Sequence, residues 1–205
     1  LQAVVSHTRI LERSGIPHRV LAPRGCLEIE PALAHAQVPF AGGLHLPADE
    51  TGDCNLFARA LTEHASRRGV RFRFQTTVER IDVENGRVAG VSTSDGMVRA
   101  DRYVVALGAE SAGLLAPLGI RLPIQPVKGY SVTLPVARFD RAPQASVMDE
   151  HTKVAITRIG NRVRAAGTAE LGAATLDAPP DRFRTVLRAL RELFPDAVDF
   201  AQQFG

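Results

Sequence analysis

The residues best suited to chemistry fall in a few short clusters. In Ala109-Glu110-Ser111-Ala112-Gly113 a serine sits among small residues just after Gly108. The run approximates the G-x-S-x-G nucleophile elbow, with alanine in place of the first glycine. A hydrolase built on it needs Ser111 as nucleophile, His151 as base, and Asp140 or Asp149 to orient the histidine. The missing glycine counts against it, because the strained elbow needs small residues on both sides. The same run has a second reading, in which Gly108, lacking a Cβ, lets the backbone pass close to a bound cofactor. A third reading is an ordinary strand-to-helix turn. His45, Asp49, Glu50, Asp53 and Cys54 are residue types that bind metals, but their spacing matches no metal site. Pro47 and Gly52 mark a structured loop there, and the reading is a turn and helix cap with no metal. Lys128 and Tyr130, in PVKGY, are expected on opposite sides of one strand, and Glu170, after Gly167-Thr168, is placed to orient an arginine.

Some standard devices are absent from the sequence. There is no GxGxxG to grip a dinucleotide pyrophosphate. Gly108 and Gly113 have the gap of a P-loop, but Leu114-Leu115 stand where it needs lysine and serine or threonine. Cys26 and Cys54 form no CxxC and read as free thiols.

The elements that must position these groups follow from periodicity and punctuation. Gln2–Ser14, with Val4, Val5, Ile10 and Leu11 apolar, predicts a helix ended by Gly15. Arg19–Leu21 reads as a strand, Cys26–Glu30 runs into a turn or helix start at Pro31, and a strand follows Gly42-Gly43. Leu56, Phe57, Ala60, Leu61 and Ala65 repeat at helical spacing, so a helix runs to about Arg68 and stops at Gly69. Arg71–Gln75 alternates with period two and reads as a short strand. Val78–Glu84 and Arg87–Thr93 flank Asn85-Gly86, a strong hairpin signal, and Asp95-Gly96 leads to a third strand of a meander. Arg102–Leu107 is short, continuous and β-branched, which predicts a buried strand, followed by a helix over Glu110–Leu118. Beyond it, strands are expected near Lys128–Leu134, Ser146–Asp149, Val154–Arg158 and Arg162–Ala166, and a last helix over Pro180–Phe194.

Composition bounds the class. The 205 residues are 45% hydrophobic and 23% charged, proportions of a globular chain rather than a disordered one. No apolar run reaches the ~18 residues of a membrane helix. The net charge of +3 comes from scattered arginines, with Lys128 and Lys153 the only lysines. Aromatic residues are 5%, so the interleaved basic and stacking residues of a nucleic-acid face are missing, and no nucleic-acid partner is expected.

Taken in order, GGLHLPADETGDC, VRFRFQTTVERI, RYVVALGAESAGLLAPLGIRLPIQPVKGYSVTLP and RVRAAGTAEL are similar to the FAD-dependent amine and amino-acid oxidases. That family includes glycine oxidase, and the likeness is to its dehydrogenases of D-amino acids. The resemblance covers nearly the whole chain. It implies an α+β fold: a mixed, largely antiparallel substrate-domain sheet with helices, plus part of an FAD-binding α/β domain made of the meander and a buried strand. The implied domains are 1–52 and 119–205 for the substrate side and 53–118 for the flavin side.

The resemblance implies FAD as cofactor, with Val78, Ala106, Leu107 and Gly108 beside it; Leu107 stands where the family usually has threonine. It places His45, Pro47 and Tyr130 towards the substrate and assigns no acid–base residue. The implied reaction turns a D-amino acid into a 2-oxo acid and ammonia, with electrons passed to a respiratory acceptor. The expected location is cytoplasmic, peripheral on a bacterial inner membrane, with homodimerisation through exposed apolar surface allowed. The family's phosphate loop and the C-terminal arginine that binds carboxylate are not in this sequence. The chain is therefore expected to be an internal portion that is inactive alone and binds FAD weakly or not at all. Two readings remain open beside this one: a serine hydrolase using Ser111, and a non-catalytic binding module.

Overall fold

The computed structural model describes residues 2–172 and 175–202. It divides into two compact bodies: residues 1–54, 128–170 and 175–205 form the first, and 55–127 with 171–174 the second.

The first body contains helices α1 (Gln2–Arg13) and α2 (Pro23–Ile29) and the short antiparallel pair β1 (Arg19–Leu21) and β2 (Gly43–His45). The α1 helix stops where Gly15 turns left-handed, at φ 66°; the side chains of Val4 and Val5 lie outside the described ones. Pro23 starts α2 by fixing φ where no amide partner is needed, and Pro31 starts the 3₁₀ turn that follows.

The second body begins with α3 (Cys54–Arg67), stopped by Gly69 at φ 90°. The meander is β3 (Val78–Glu84), β4 (Arg87–Thr93) and β5 (Gly96–Val98), in that order. Asn85 and Gly86 have φ of 51° and 75°, the two positive angles that a type I′ hairpin turn demands. The helix α4 covers Glu110–Leu115 and continues as a 3₁₀ turn to Leu118.

A polar chain fastens the meander. Asp82 Oδ2 accepts from Ser92 Oγ at 2.6 Å, and Asp82 Oδ1 accepts from Arg80 Nε at 2.7 Å. The hydrogen bond from Ser92, then that from Arg80, holds the Asp82 carboxyl below the usual carboxylate range. A carboxyl depressed in the folded state contributes stability above its unfolded value, and that stability is lost as pH falls through the folded one. We therefore expect the β3–β4 amides to lose hydrogen-exchange protection on acidification. In Asp82→Asn this acid sensitivity should be blunted; an unchanged profile would refute the role.

Two expected strands do not form. Residues 71–75 make no ladder; Phe72 and Phe74 instead stack in parallel, with centroids 5.7 Å apart. Alternation does place both rings on one side of the backbone, but no neighbouring strand satisfies the backbone, and Gln75 ends the stretch at φ 58°. Residues 102–107 are likewise unpaired, and Val104 is 90% exposed. A continuous apolar strand is stable only with both edges paired and both faces covered, and among the described residues nothing pairs with it.

In the first body β6 (Val127–Pro135), β7 (Val147–Asp149), β8 (Val154–Ile159) and β9 (Arg162–Leu171) form a sheet in the order β6-β9-β8-β7. The Val136 amide donates to the Asn161 carbonyl at 2.8 Å, so β6 and β9 run antiparallel. Helix α5 (Arg184–Leu193) closes one face of this sheet. Val186, Leu187, Leu190 and Leu193 form its apolar stripe and meet Val132, Leu134, Val154, Ile156, Val163 and Ala165 from alternate strand positions. Pro195 follows the helix end, where Phe194 is fully buried.

Candidate functional site

The substrate-side residues of the first body are set by β1 and β2. Arg19 pairs in register with His45, and Arg19 Nη2 lies 3.0 Å from His45 Nδ1. A guanidinium only donates, so Nδ1 accepts and the ring proton sits on Nε2. Pro47 opens the turn after β2, closed by the Asp49 amide on the Leu46 carbonyl at 3.2 Å. The pair exists because Gly42 precedes β2 at φ +145°, where a Cβ would lie 2.4 Å from the Leu21 carbonyl oxygen. Gly42→Ala should separate the strands and release His45 from Arg19, at a cost of about 2 kcal/mol. Loss of the shifted His45 ring resonances would report it; an unchanged spectrum and stability would contradict it.

Tyr130, expected towards the substrate, is buried. It lies on the α5 side of β6 with Val132 and Leu134, is 4% exposed, and meets the Phe183 ring edge-on at 5.6 Å. Its hydroxyl donates to Glu170 Oε2 at 2.7 Å, and Glu170 Oε1 reaches Arg182 Nη2 at 3.5 Å. Glu170 thus orients an arginine, as its position suggested, and Tyr130 positions Glu170 from inside the core rather than lining an open cavity. Lys128 also lies on the Tyr130 side, with Nζ 5.4 Å from the ring centroid. The expectation of opposite sides fails because residues two apart on a strand share a face. The Lys128 ammonium donates to the carbonyls of Thr175 and Asp177.

The flavin-side residues lie in the second body. Val78 is the first residue of β3 and pairs with Thr93. Ala106 and Leu107 lie exposed on the unpaired stretch, and Gly108 turns left-handed at φ +57° with open space where a Cβ would stand. An exposed edge of small and apolar residues ending in a glycine turn fits the flat face of a bound ring system, so these residues are compatible with FAD. Ser111 is 6% exposed, and its Oγ accepts from the Leu107 amide at 3.1 Å. It braces the glycine turn, and the His151 amide is bonded to the carboxylate of its neighbour Asp149.

Among the described residues no three His, Cys, Asp or Glu side chains gather as metal ligands, and no helix is long and apolar enough to cross a membrane. Cys26 is buried, which pushes its thiol up, and Cys54 is exposed; both are free. Two polar features escaped the sequence reading. One is the buried carboxylate of Glu30, whose acceptor role depends on residues far along the chain. The other is the hydrogen bond from Arg164 to Ser131 at 2.9 Å. For the second, the alternation in Arg162-Val163-Arg164-Ala165 carried the signal, with arginines on one face and core residues on the other.

The fold is shared with glycine oxidases and an L-proline dehydrogenase of known structure. Glycine oxidase from Bacillus cereus superposes with a TM-score of 0.80 at 23% identity, over 95% of this chain and 53% of that one. Glycine oxidase from Geobacillus kaustophilus gives 0.80 at 27% identity, over 94% and 50%. The L-proline dehydrogenase of P. horikoshii gives 0.82 at 20% identity, over 95% and 53%.

Sequence relatives are nearer. A D-amino acid dehydrogenase of Bradyrhizobium diazoefficiens is 50% identical over 193 residues, 94% of this chain and 46% of that protein. One of Cereibacter sphaeroides is 48% identical over 98% of this chain and 46% of its own length. The chain spans about half the length of the curated relatives it matches. The family model described as FAD dependent oxidoreductase matches residues 2–205, and the chain belongs to that family.

Proposed function

We propose that this chain supplies the substrate-side sheet and part of the flavin-binding surface of a dehydrogenase that oxidises D-amino acids to 2-oxo acids and ammonia. The observation that carries the reading is the 50% identity, over 94% of the chain, to a protein named D-amino acid dehydrogenase. FAD supplies the two-electron acceptor for such chemistry. The chain's own residues bind and orient. The exposed apolar edge at Ala106 and Leu107, the open turn at Gly108, and Val78 would lie against the cofactor. His45, with its Nε2 proton directed away from Arg19, and Pro47 would flank the substrate. Tyr130 acts at one remove, through Glu170 and Arg182. The substrate gives up a hydride and a proton, and water then hydrolyses the imino acid to a 2-oxo acid and ammonia. In this reading electrons pass on to a respiratory acceptor at the cytoplasmic side of an inner membrane, with the protein attached peripherally.

The test is product formation by the whole FAD-loaded dehydrogenase of which this chain is proposed to be part, with an artificial electron acceptor, since the chain by itself is expected to be inactive. Pyruvate and ammonia should appear in equal amounts from D-alanine, depend on the acceptor, and form without hydrogen peroxide. Peroxide in place of acceptor reduction would overturn the dehydrogenase assignment. Absence of a 2-oxo acid from every D-amino acid tried would overturn the reading as a whole.

A further inference from the structure

The alternation of β9 changes phase part-way along the strand. Val163 and Ala165 are buried in the core that α5 covers, and Arg162 and Arg164 alternate with them and are exposed. Unbroken alternation would carry Ala169 and Leu171 onto the buried side and Glu170 onto the open one. Instead Ala169 and Leu171 are exposed, and Glu170 accepts from the hydroxyl of Tyr130, which lies on the α5 side. The change falls at Gly167-Thr168. The ladder with β8 ends at the Ala155–Ala166 pair, and Thr168 turns left-handed at φ 58°. Gly167 has no room for a side chain, since a Cβ there would lie 2.7 Å from Val154 Cγ2. Such a break acts as a bulge does: it re-aims the side chains beyond it, and bulges collect beside active sites.

Threonine is an unusual residue for that conformation. Among the described residues the non-glycine positions with positive φ are Gln75, Asn85, Lys153 and Thr168, and only the threonine is β-branched. A β-branched side chain is strained there, whereas glycine or asparagine fits. Strain of this kind persists where the surroundings impose it, and it clusters where a side chain is used. Thr168 is half-buried, and among the described residues its hydroxyl has no hydrogen-bond partner. Its strand neighbours Ala166, Gly167 and Ala169 carry no charge. An amine gives up the hydride of its neighbouring carbon only as the free base, because its lone pair forms the new C=N bond. A carboxylate beside the amine would hold it as the ammonium, while a neutral hydroxyl accepts from the free amine without doing so.

We propose that Thr168 is a specificity-determining residue whose hydroxyl accepts from the amine of a bound D-amino acid, and that the break at Gly167-Thr168 aims it. The ligand rests on the function proposed above; the strained turn does not. The strain is tested on the chain itself. Thr168→Asn, which tolerates the left-handed region, should raise the urea midpoint, and an equal or lower midpoint overturns the strain. The contact is tested in the whole FAD-loaded dehydrogenase of which this chain is proposed to be part. Thr168→Val keeps the shape and the strain and loses only the hydroxyl. In it KM should rise about three- to tenfold for D-alanine and other D-amino acids alike, with kcat little changed. Inhibition by propionate, which lacks the amine, should stay as it was. Thr168→Ser, which returns the hydroxyl, should restore KM. A KM unmoved in Thr168→Val, in an enzyme that oxidises D-alanine, upholds the function and removes the contact. A parallel loss of propionate inhibition also removes it, because it marks a structural role. A wild-type enzyme that oxidises no D-amino acid removes the proposed function, and the amine ligand with it.

Discussion

Glu30→Ala should lower the stability of the first body by about 3–5 kcal/mol, a large share of what a domain of this size possesses. Glu30 is 2% exposed, and its carboxylate accepts from the amides of Ala32 at 3.2 Å, Gln144 at 2.6 Å and Ala145 at 2.7 Å. Removing the acceptor leaves those donors without a partner, and a buried unpaired amide costs about 1–3 kcal/mol. Relaxation and water entry recover part of this, hence the lower total. Glu30→Gln should lie between, because the glutamine oxygen still accepts while its amide nitrogen now faces N–H groups. Urea unfolding gives the magnitude, and hydrogen exchange at Gln144 and Ala145 gives the location. A loss under 1 kcal/mol in Glu30→Ala, with both amides still protected, would show that something else holds the 140–146 loop.

Phe194→Ala should cost about as much for a different reason. The Phe194 ring is fully buried at the end of α5, among the residues that fill the core face of the sheet. Truncation removes a large apolar side chain and leaves a cavity, which together cost about 3–5 kcal/mol. Phe194→Leu, which fills most of the space, should cost under about 1.5 kcal/mol. Because α5 backs the sheet whose other face carries Arg164 and Ser131, the alanine variant should also broaden the amide signals of β6 and β9. A small stability loss with sharp β6 and β9 signals would mean that α5 is not what keeps the sheet flat and in register.

These two sites show what could be read from the chain and what could not. Phe194 was legible: it ends a run with apolar residues at helical spacing and precedes Pro195. The meander was legible for a local reason too, since Asn85-Gly86 specifies both turn and register. Glu30 was not, because its partners Gln144 and Ala145 lie 114 and 115 residues away and are backbone groups, which have no sequence signature. Residues 71–75 and 102–107 carry genuine strand patterns, but a pattern states what a segment can do when neighbours pair with it. Tyr130 was singled out without a direction; Val132 and Leu134, two and four residues on, carried that answer, since they share its face. On the flavin side, Gly108 was marked by the lack of a side chain between an apolar run and a helix. The Arg19–His45 contact needed the β1–β2 register, which the sequence left open.

The account stands or falls most directly on flavin reduction. The whole FAD-loaded dehydrogenase of which this chain is proposed to be part, kept free of oxygen, is mixed with D-alanine or L-alanine while the flavin's visible absorption is followed. Bleaching with D-alanine and not with L-alanine is the predicted result, with FAD affinity weakened by Leu107→Asp. An FAD-loaded protein whose absorption no D-amino acid bleaches, or whose FAD affinity ignores Leu107→Asp and Gly108→Val alike, would contradict it.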